Sequence, residues 1–318
     1  MKIHPSMIDK QLRLPGFFAS LLLRPTLNSF QRADKLMQRS NGAGIKGLDN
    51  AERWIPARDG HQIRVRIHQP LDRKEALPGV LLLHGGGYVI NTPETEMASI
   101  KNLITTRACV VVAPDYRLSG EAPYPAALHD CYDTLVWMRD NHEQLGIRPD
   151  QLIVYGNSAG GGLTAAVCLL ARDQGEVNIA FQIPLYPMID DRMATNSMID
   201  NNAPVWNAAH NRLAWDLYLR DVDKATVPIY AAPARAKDLS NLPPAFTFVG
   251  DLDPFRDETI AYMEKLRDAG VPVEYRVFAG CYHGFDVVNP MAKVSVEART
   301  YLLEKFAYGV AHYFAEQD

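Results

Sequence analysis

Three side chains able to act together on an acyl bond occur in this chain in the order Ser158, Asp253, His283. Ser158 lies in Gly156-Asn157-Ser158-Ala159-Gly160. The apolar run Leu152-Ile153-Val154-Tyr155 before it predicts a buried strand, and the Gly/Ala/Leu-rich stretch 161–170 predicts a buried helix. So tight a strand-to-helix turn pushes the serine hydroxyl out of the backbone. It also places the next N–H at a helix N-terminus, where negative charge is favoured. A neutral hydroxyl is a poor nucleophile. An imidazole (His283) can take its proton and later return it to a leaving group, and a carboxylate (Asp253) can fix the imidazole tautomer and stabilise its cation. His84-Gly85-Gly86-Gly87-Tyr88 adds a glycine loop whose backbone N–H groups can approach an oxyanion closely.

These groups need a frame that gathers them. Val80–Leu83, Cys109–Ala113, Leu152–Tyr155, Ala180–Ile183, Phe246–Val249 and Val273–Phe278 read as strands. Ala180–Ile183 should stop at Pro184. Ile63–Ile67 alternates and reads as a half-exposed antiparallel edge strand. Helices are expected over 94–106, 125–142, 258–269 and from about residue 292. Alternating strands and helices predict a mostly parallel, doubly wound sheet, and ligand groups then gather at the carboxyl ends of its strands. The serine, aspartate, histidine and glycine-loop segments each follow such a strand.

Residues 1–50 read as short helices broken at Pro15, Pro25 and 42–47. The polar stretch 189–202 and the following helix, carrying Trp206, Leu213, Trp215, Leu217 and Tyr218, interrupt the alternation and read as lid material. The expected division is an N-terminal cap segment at 1–50, a first core part at 51–188, a second cap segment at 189–235 and a second core part at 236–318.

Hydrophobic content of 47% and charged content of 22% are those of an ordinary globular chain. The net charge of −4 gives no reason to expect nucleic acid or an anionic membrane. The run Phe17–Leu23 is too short to span a bilayer and reads as an amphipathic surface or lid helix, not a targeting segment. Cys109, Cys131, Cys168 and Cys281 form no C-x-x-C, which fits a reduced, cytoplasmic setting.

Five blocks in order, His84-Gly85-Gly86-Gly87, Asp115-Tyr116-Arg117-Leu118, Gly156 to Gly161, Asp253 to Glu258 and His283-Gly284-Phe285, resemble the hormone-sensitive-lipase family of α/β-hydrolase carboxylesterases from about residue 60 onward. The resemblance implies the α/β-hydrolase fold: a mostly parallel sheet flanked by helices, with a helical cap. It implies Ser158 as nucleophile, Asp253 as acid, His283 as base, and Gly86, Gly87 and Ala159 as oxyanion donors. His84 and Gly85 would support that loop. Tyr88, Trp206 and Trp215 are candidates for the substrate pocket. The substrate would be a small-molecule ester of short to medium acyl length. No cofactor, metal or nucleic acid is implied, and dimers are common among such relatives. Asn157 in place of the usual Asp or Thr, Ser119-Gly120 in place of Ala-Pro, and Phe255 in place of Leu depart from the family pattern.

Competing readings stay open here. Asp251 shares a loop with Asp253 and rivals it. Asp257 and Glu258 suit the first turn of the next helix. Trp206, Trp215, Phe17 and Phe18 could equally be plain packing. The remaining histidines, His4, His61, His68, His129, His142, His210 and His312, read as surface residues. An amidase or deacetylase would use the same groups. A non-catalytic binding protein on this scaffold would tend to lack the histidine that is present as His283.

Overall fold

A computed structural model describes residues 1–317. The chain runs α1 (Lys10–Leu22), α2 (Leu27–Met37), β1 (Leu48–Pro56), β2 (Gln62–Pro70), β3 (Leu77–Leu83), α3 (Met97–Thr106), β4 (Val110–Pro114), α4 (Ala126–Asp140), α5 (His142–Leu145) and β5 (Ile147–Asn157). It continues through α6 (Ala159–Gln174), β6 (Phe181–Leu185), α7 (Ala208–Tyr218), β7 (Ala245–Gly250), α8 (Arg256–Asp268), β8 (Val273–Phe278), α9 (Phe285–Val288) and α10 (Lys293–His312).

The strands form one eight-stranded sheet in the order β1-β2-β4-β3-β5-β6-β7-β8. Strands from β4 across to β8 are parallel, and β2 is antiparallel to both of its neighbours. The central strands are buried on both faces, as their unbroken apolar runs require. Period-two alternation divides them between two cores. Leu81, Leu83, Val112 and Val154 face α4, α6 and α8. Val80, Leu82, Val111 and Ile153 face α3 and α10.

Several expectations are corrected. The edge on the β2 side of the sheet is β1, which sequence reasoning missed because Trp54 and its polar neighbours stay exposed. β2 lies one place in, and its alternating charges are buried. Arg64 is 8% exposed and Arg66 6%. Arg64 donates to Glu94 at 2.8 and 3.0 Å and to Asp115 at 2.9 Å, so an ion network replaces solvent. His68 and His210 are buried, the first against Asn50 and the second against Asn207 and the Leu23 carbonyl.

Pro184 lies inside β6, where the pairing with β7 is reduced to one register position. Trp206 precedes α7 and is not part of it. Pro15 does not break α1. Proline at 15 removes the N–H that would bond the Gln11 carbonyl, and Asn289 Nδ2 donates to that carbonyl instead at 2.9 Å.

Glu94 is the hub of the buried network, also accepting the Gly42 N–H at 2.9 Å. Burial alone would raise its carboxyl. The bonds from Arg64 and Gly42 outweigh that and hold it at about 2. A depressed acid contributes stability above the unfolded carboxylate range and loses it as pH falls toward the folded value. Glu94→Gln leaves Arg64 short of a buried partner and should cost about 3 kcal/mol in urea unfolding at pH 7. Its deficit against the wild type should shrink between about pH 4.5 and pH 2.

Candidate active site

Ser158 closes β5 and caps α6 with φ +57° and ψ −117°, outside the regions an L-residue normally occupies. Such a backbone costs about 1–3 kcal/mol and persists only where neighbours fix it. Here the Ser158 N–H donates to Leu185 O at 2.9 Å, and its carbonyl accepts from the N–H groups of Gly162 and Met188, both at 2.9 Å. A Cβ on Gly160 would lie 2.0 Å from Leu83 O, so only glycine lets α6 approach β3 this closely.

The three side chains meet. His283 Nε2 lies 2.8 Å from Ser158 Oγ, and His283 Nδ1 lies 2.8 Å from Asp253 Oδ2. A carboxylate only accepts, so Nδ1 carries the ring proton and Nε2 offers its lone pair to the serine O–H. Asp253 is 1% exposed, and its other oxygen accepts the Phe255 N–H at 2.8 Å. Asp251 points elsewhere. Its side chain accepts the Cys281 N–H and its carbonyl accepts from Arg256. Asp257 and Glu258 do sit in the first turn of α8 but make no side-chain cap there. They accept backbone N–H groups of Ser197, and of Ile189 and Asp190, tying the 189–197 segment down.

Sequence reasoning missed the walls of the imidazole. Tyr186 and Phe255 present edge-on to His283 at centroid distances of 5.0 and 4.9 Å. The position of Tyr186 just past β6 was the available signal. The histidine loop is also fastened to α1. Tyr282 Oη donates to Leu12 O at 3.0 Å, and the Asp9 N–H donates to Gly280 O at 2.9 Å. A Cβ on Gly16 would lie 2.7 Å from the Tyr282 ring.

The glycine loop turns beside the serine. Gly86 has φ +118° and Gly87 +62°, and the Gly86 carbonyl accepts the Val89 N–H. Among the described residues the N–H groups of Gly86, Gly87 and Ala159 bond to no backbone carbonyl, so they are free to serve a ligand oxygen. His84 stacks on Tyr116 at 4.1 Å, and its Nδ1 lies 2.8 Å from Gly85 O. Burial pushes this imidazole down to about 4, which keeps it neutral, and Tyr116 Oη donates to its carbonyl.

A cavity of about 580 Å³ opens over Ser158 and His283. Trp206 lines it, stacked on Phe30, with Leu23, Met37 and Val205 nearby. Tyr88 and Trp215 do not line it. They are packed together with Tyr218, and Tyr88 Oη donates to Met188 O. Phe17 and Phe18 lie outside it, exposed on α1. Two acids, Glu96 and Asp286, also line the wall, and Asp286 accepts from Tyr186 Oη at 3.3 Å. Burial pushes both carboxyls up, Asp286 to about 6.

The α/β-hydrolase-fold family model matches residues 80–287. The chain is 35% identical to an arylesterase of Saccharolobus solfataricus over 71% of its length and 74% of the relative's. It is 37% identical to the esterase LipI of Mycobacterium tuberculosis over 70% and 71% of the two chains. Its structure is similar to that of a bacterial heroin esterase, with a TM-score of 0.85, 33% identity, and 96% and 98% of the two chains covered. Esterase LipW from Mycobacterium marinum gives a TM-score of 0.86 at 30% identity, covering 96% of each. With fold, gathered side chains and relatives in agreement, the chain belongs to the hormone-sensitive-lipase family of α/β-hydrolase carboxylesterases.

Proposed function

We propose that this carboxylesterase hydrolyses short- to medium-chain acyl esters through an acyl-enzyme, with Ser158 as nucleophile, His283 as base and then acid, and Asp253 as the imidazole's partner. The observation that carries this reading is the pair of 2.8 Å contacts from His283 to Ser158 Oγ and to Asp253. In the first half-reaction Ser158 Oγ attacks the ester carbonyl carbon while Nε2 takes its proton. The developing oxyanion receives hydrogen bonds from the N–H groups of Gly86, Gly87 and Ala159, of which one donor is typically worth about 3 kcal/mol. Collapse expels the alcohol, which takes the proton back from Nε2. Water then repeats the sequence on the acyl-serine: it gives a proton to Nε2, adds to the carbonyl, and releases the acid and free Ser158.

His84 Nδ1 donates to Gly85 O and burial disfavours the protonated ring, so His84 supports the glycine loop and is a poor base. Residues 1–50 and 189–235 would act together as a cap. Its two parts touch where Phe30 stacks on Trp206 and where Val205 N–H donates to Ser20 Oγ at 3.3 Å. The cavity volume supports substrates of modest size. Among the described residues no helix is long and apolar enough to cross a membrane. A cytoplasmic location is supported by four buried free thiols. The homodimer implied by the family resemblance is read by sedimentation velocity.

Ser158→Ala should lower kcat for p-nitrophenyl butyrate by at least about a thousandfold with the fold retained. Equal hydrolysis by both proteins would remove Ser158 from the chemistry. Asp286 yields a second prediction. Its folded value of about 6 lies above the unfolded 3.8, so ionisation disfavours the fold as pH rises through that interval. Asp286→Asn should therefore be more stable than the wild type at pH 7, by up to about 3 kcal/mol, with the gain vanishing below about pH 4. Thermal unfolding across pH checks this.

A further inference from the structure

The outward face of α1 is unlike the rest of the surface. Leu14, Phe17, Phe18, Leu21 and Leu22 are 51–83% exposed. Their spacing of i, i+3, i+4, i+7 and i+8 places them on one helical stripe that covers nothing in this chain. Leu27 and Leu36 on α2 are exposed as well. On the other side, Val287 at 62% and Met291 at 80% exposure follow the histidine loop, where Asn289 is bonded to Gln11 of α1. Leu23, Met37 and Val287 line the cavity itself, so the apolar surface runs into its mouth. Patches of this kind mark interaction sites.

Charge identifies the partner. Within residues 1–40 the basic side chains are Lys2, Lys10, Arg13, Arg24, Arg32, Lys35 and Arg39, and all are exposed. The acids there are only Asp9 and Asp34. Lys10 and Arg24 fall at the two ends of the apolar stripe. Lys293 begins α10 beside it, bonded through its N–H to the Gln11 side chain. The chain-wide charge of −4 conceals this local excess of positive charge and misleads when read as an average.

We propose that α1, α2 and the Val287–Met291 turn form a docking surface for an anionic phospholipid bilayer, seating the cavity mouth against the membrane. The apolar stripe would enter the headgroup–acyl boundary while the flanking cations meet lipid phosphates. Apolar esters dissolved in the bilayer would then reach Ser158 without crossing bulk water.

The test is co-sedimentation of the full chain with vesicles of phosphatidylcholine, with and without phosphatidylglycerol. The wild type should partition onto the anionic vesicles, and added salt should release it. Phe17→Ser/Phe18→Ser/Leu21→Ser should weaken partitioning by at least about tenfold, since three large side chains lose their burial. Lys10→Glu/Arg24→Glu should weaken it on anionic vesicles alone. Hydrolysis of soluble p-nitrophenyl acetate should stay unchanged in both variants, which shows that they fold and keeps this result separate from the catalytic reading. A wild type that stays in the supernatant, or a triple-serine variant that binds as well as the wild type, overturns the proposal. A wild-type dimer that the serine substitutions dissociate, with no vesicle binding, also overturns it and assigns the stripe to a second copy.

Discussion

The close approach of α6 to the sheet is the constraint on which everything else depends. Gly160 lies against the Leu83 and His84 carbonyls, and Ser158 is held in a strained turn by Leu185, Gly162 and Met188. The two are one arrangement seen from two sides. If α6 stood further off, the Ala159 N–H would no longer lie beside the glycine loop that follows β3. If the turn relaxed, the hydroxyl would leave the line of His283. The backbone strain is borne by a core buried on both faces of the sheet, and the dense aliphatic packing around β3 and β5 is what resists its release.

The candidate triad was legible in the sequence because Ser158 and Asp253 follow apolar runs bounded by glycine turns, whereas His283 follows β8, whose Glu274 and Arg276 leave it half-exposed, and was read from the His283-Gly284-Phe285 block. Ser158, Asp253 and His283 come from three loops far apart in the chain, yet parallel strands deliver their carboxyl ends to one edge. What was not legible is what depends on partners. β1 pairs through its backbone while keeping Trp54 in water, so its side chains give no burial pattern. Arg64 and Arg66 look solvated until Glu94, from a distant turn, supplies the opposite charge. Pro15 looks like a helix breaker until Asn289 takes up the carbonyl it orphans. Tyr88 and Trp215 carry the residue types of a pocket wall and serve instead to pack α7 against the segment after β3. Single-sequence periodicity reports local burial and does not report who answers a charge or a freed carbonyl.

The cavity is chemically two-sided. One side is aromatic and aliphatic, with Trp206, Leu23 and Met37 contributed by the segments before β1 and after β6. The other carries Glu96 and Asp286, carboxyls that burial makes reluctant to ionise. Buried acids of this sort are expensive to keep. Tyr186 joins the two, packing edge-on against His283 while its hydroxyl donates to Asp286, so the polar wall and the imidazole share a support.

The fastening of α1 to the histidine loop has a mechanical consequence. Asp9 and Leu12 are bonded to Gly280 and Tyr282, and Gly16 is pressed against the Tyr282 ring. Swinging the whole helix aside would pull on the residue next to His283. A displacement of α1 that left the histidine loop in place would have to hinge at or beyond Gly16, so the first turns of the helix act as a fixed post for that loop.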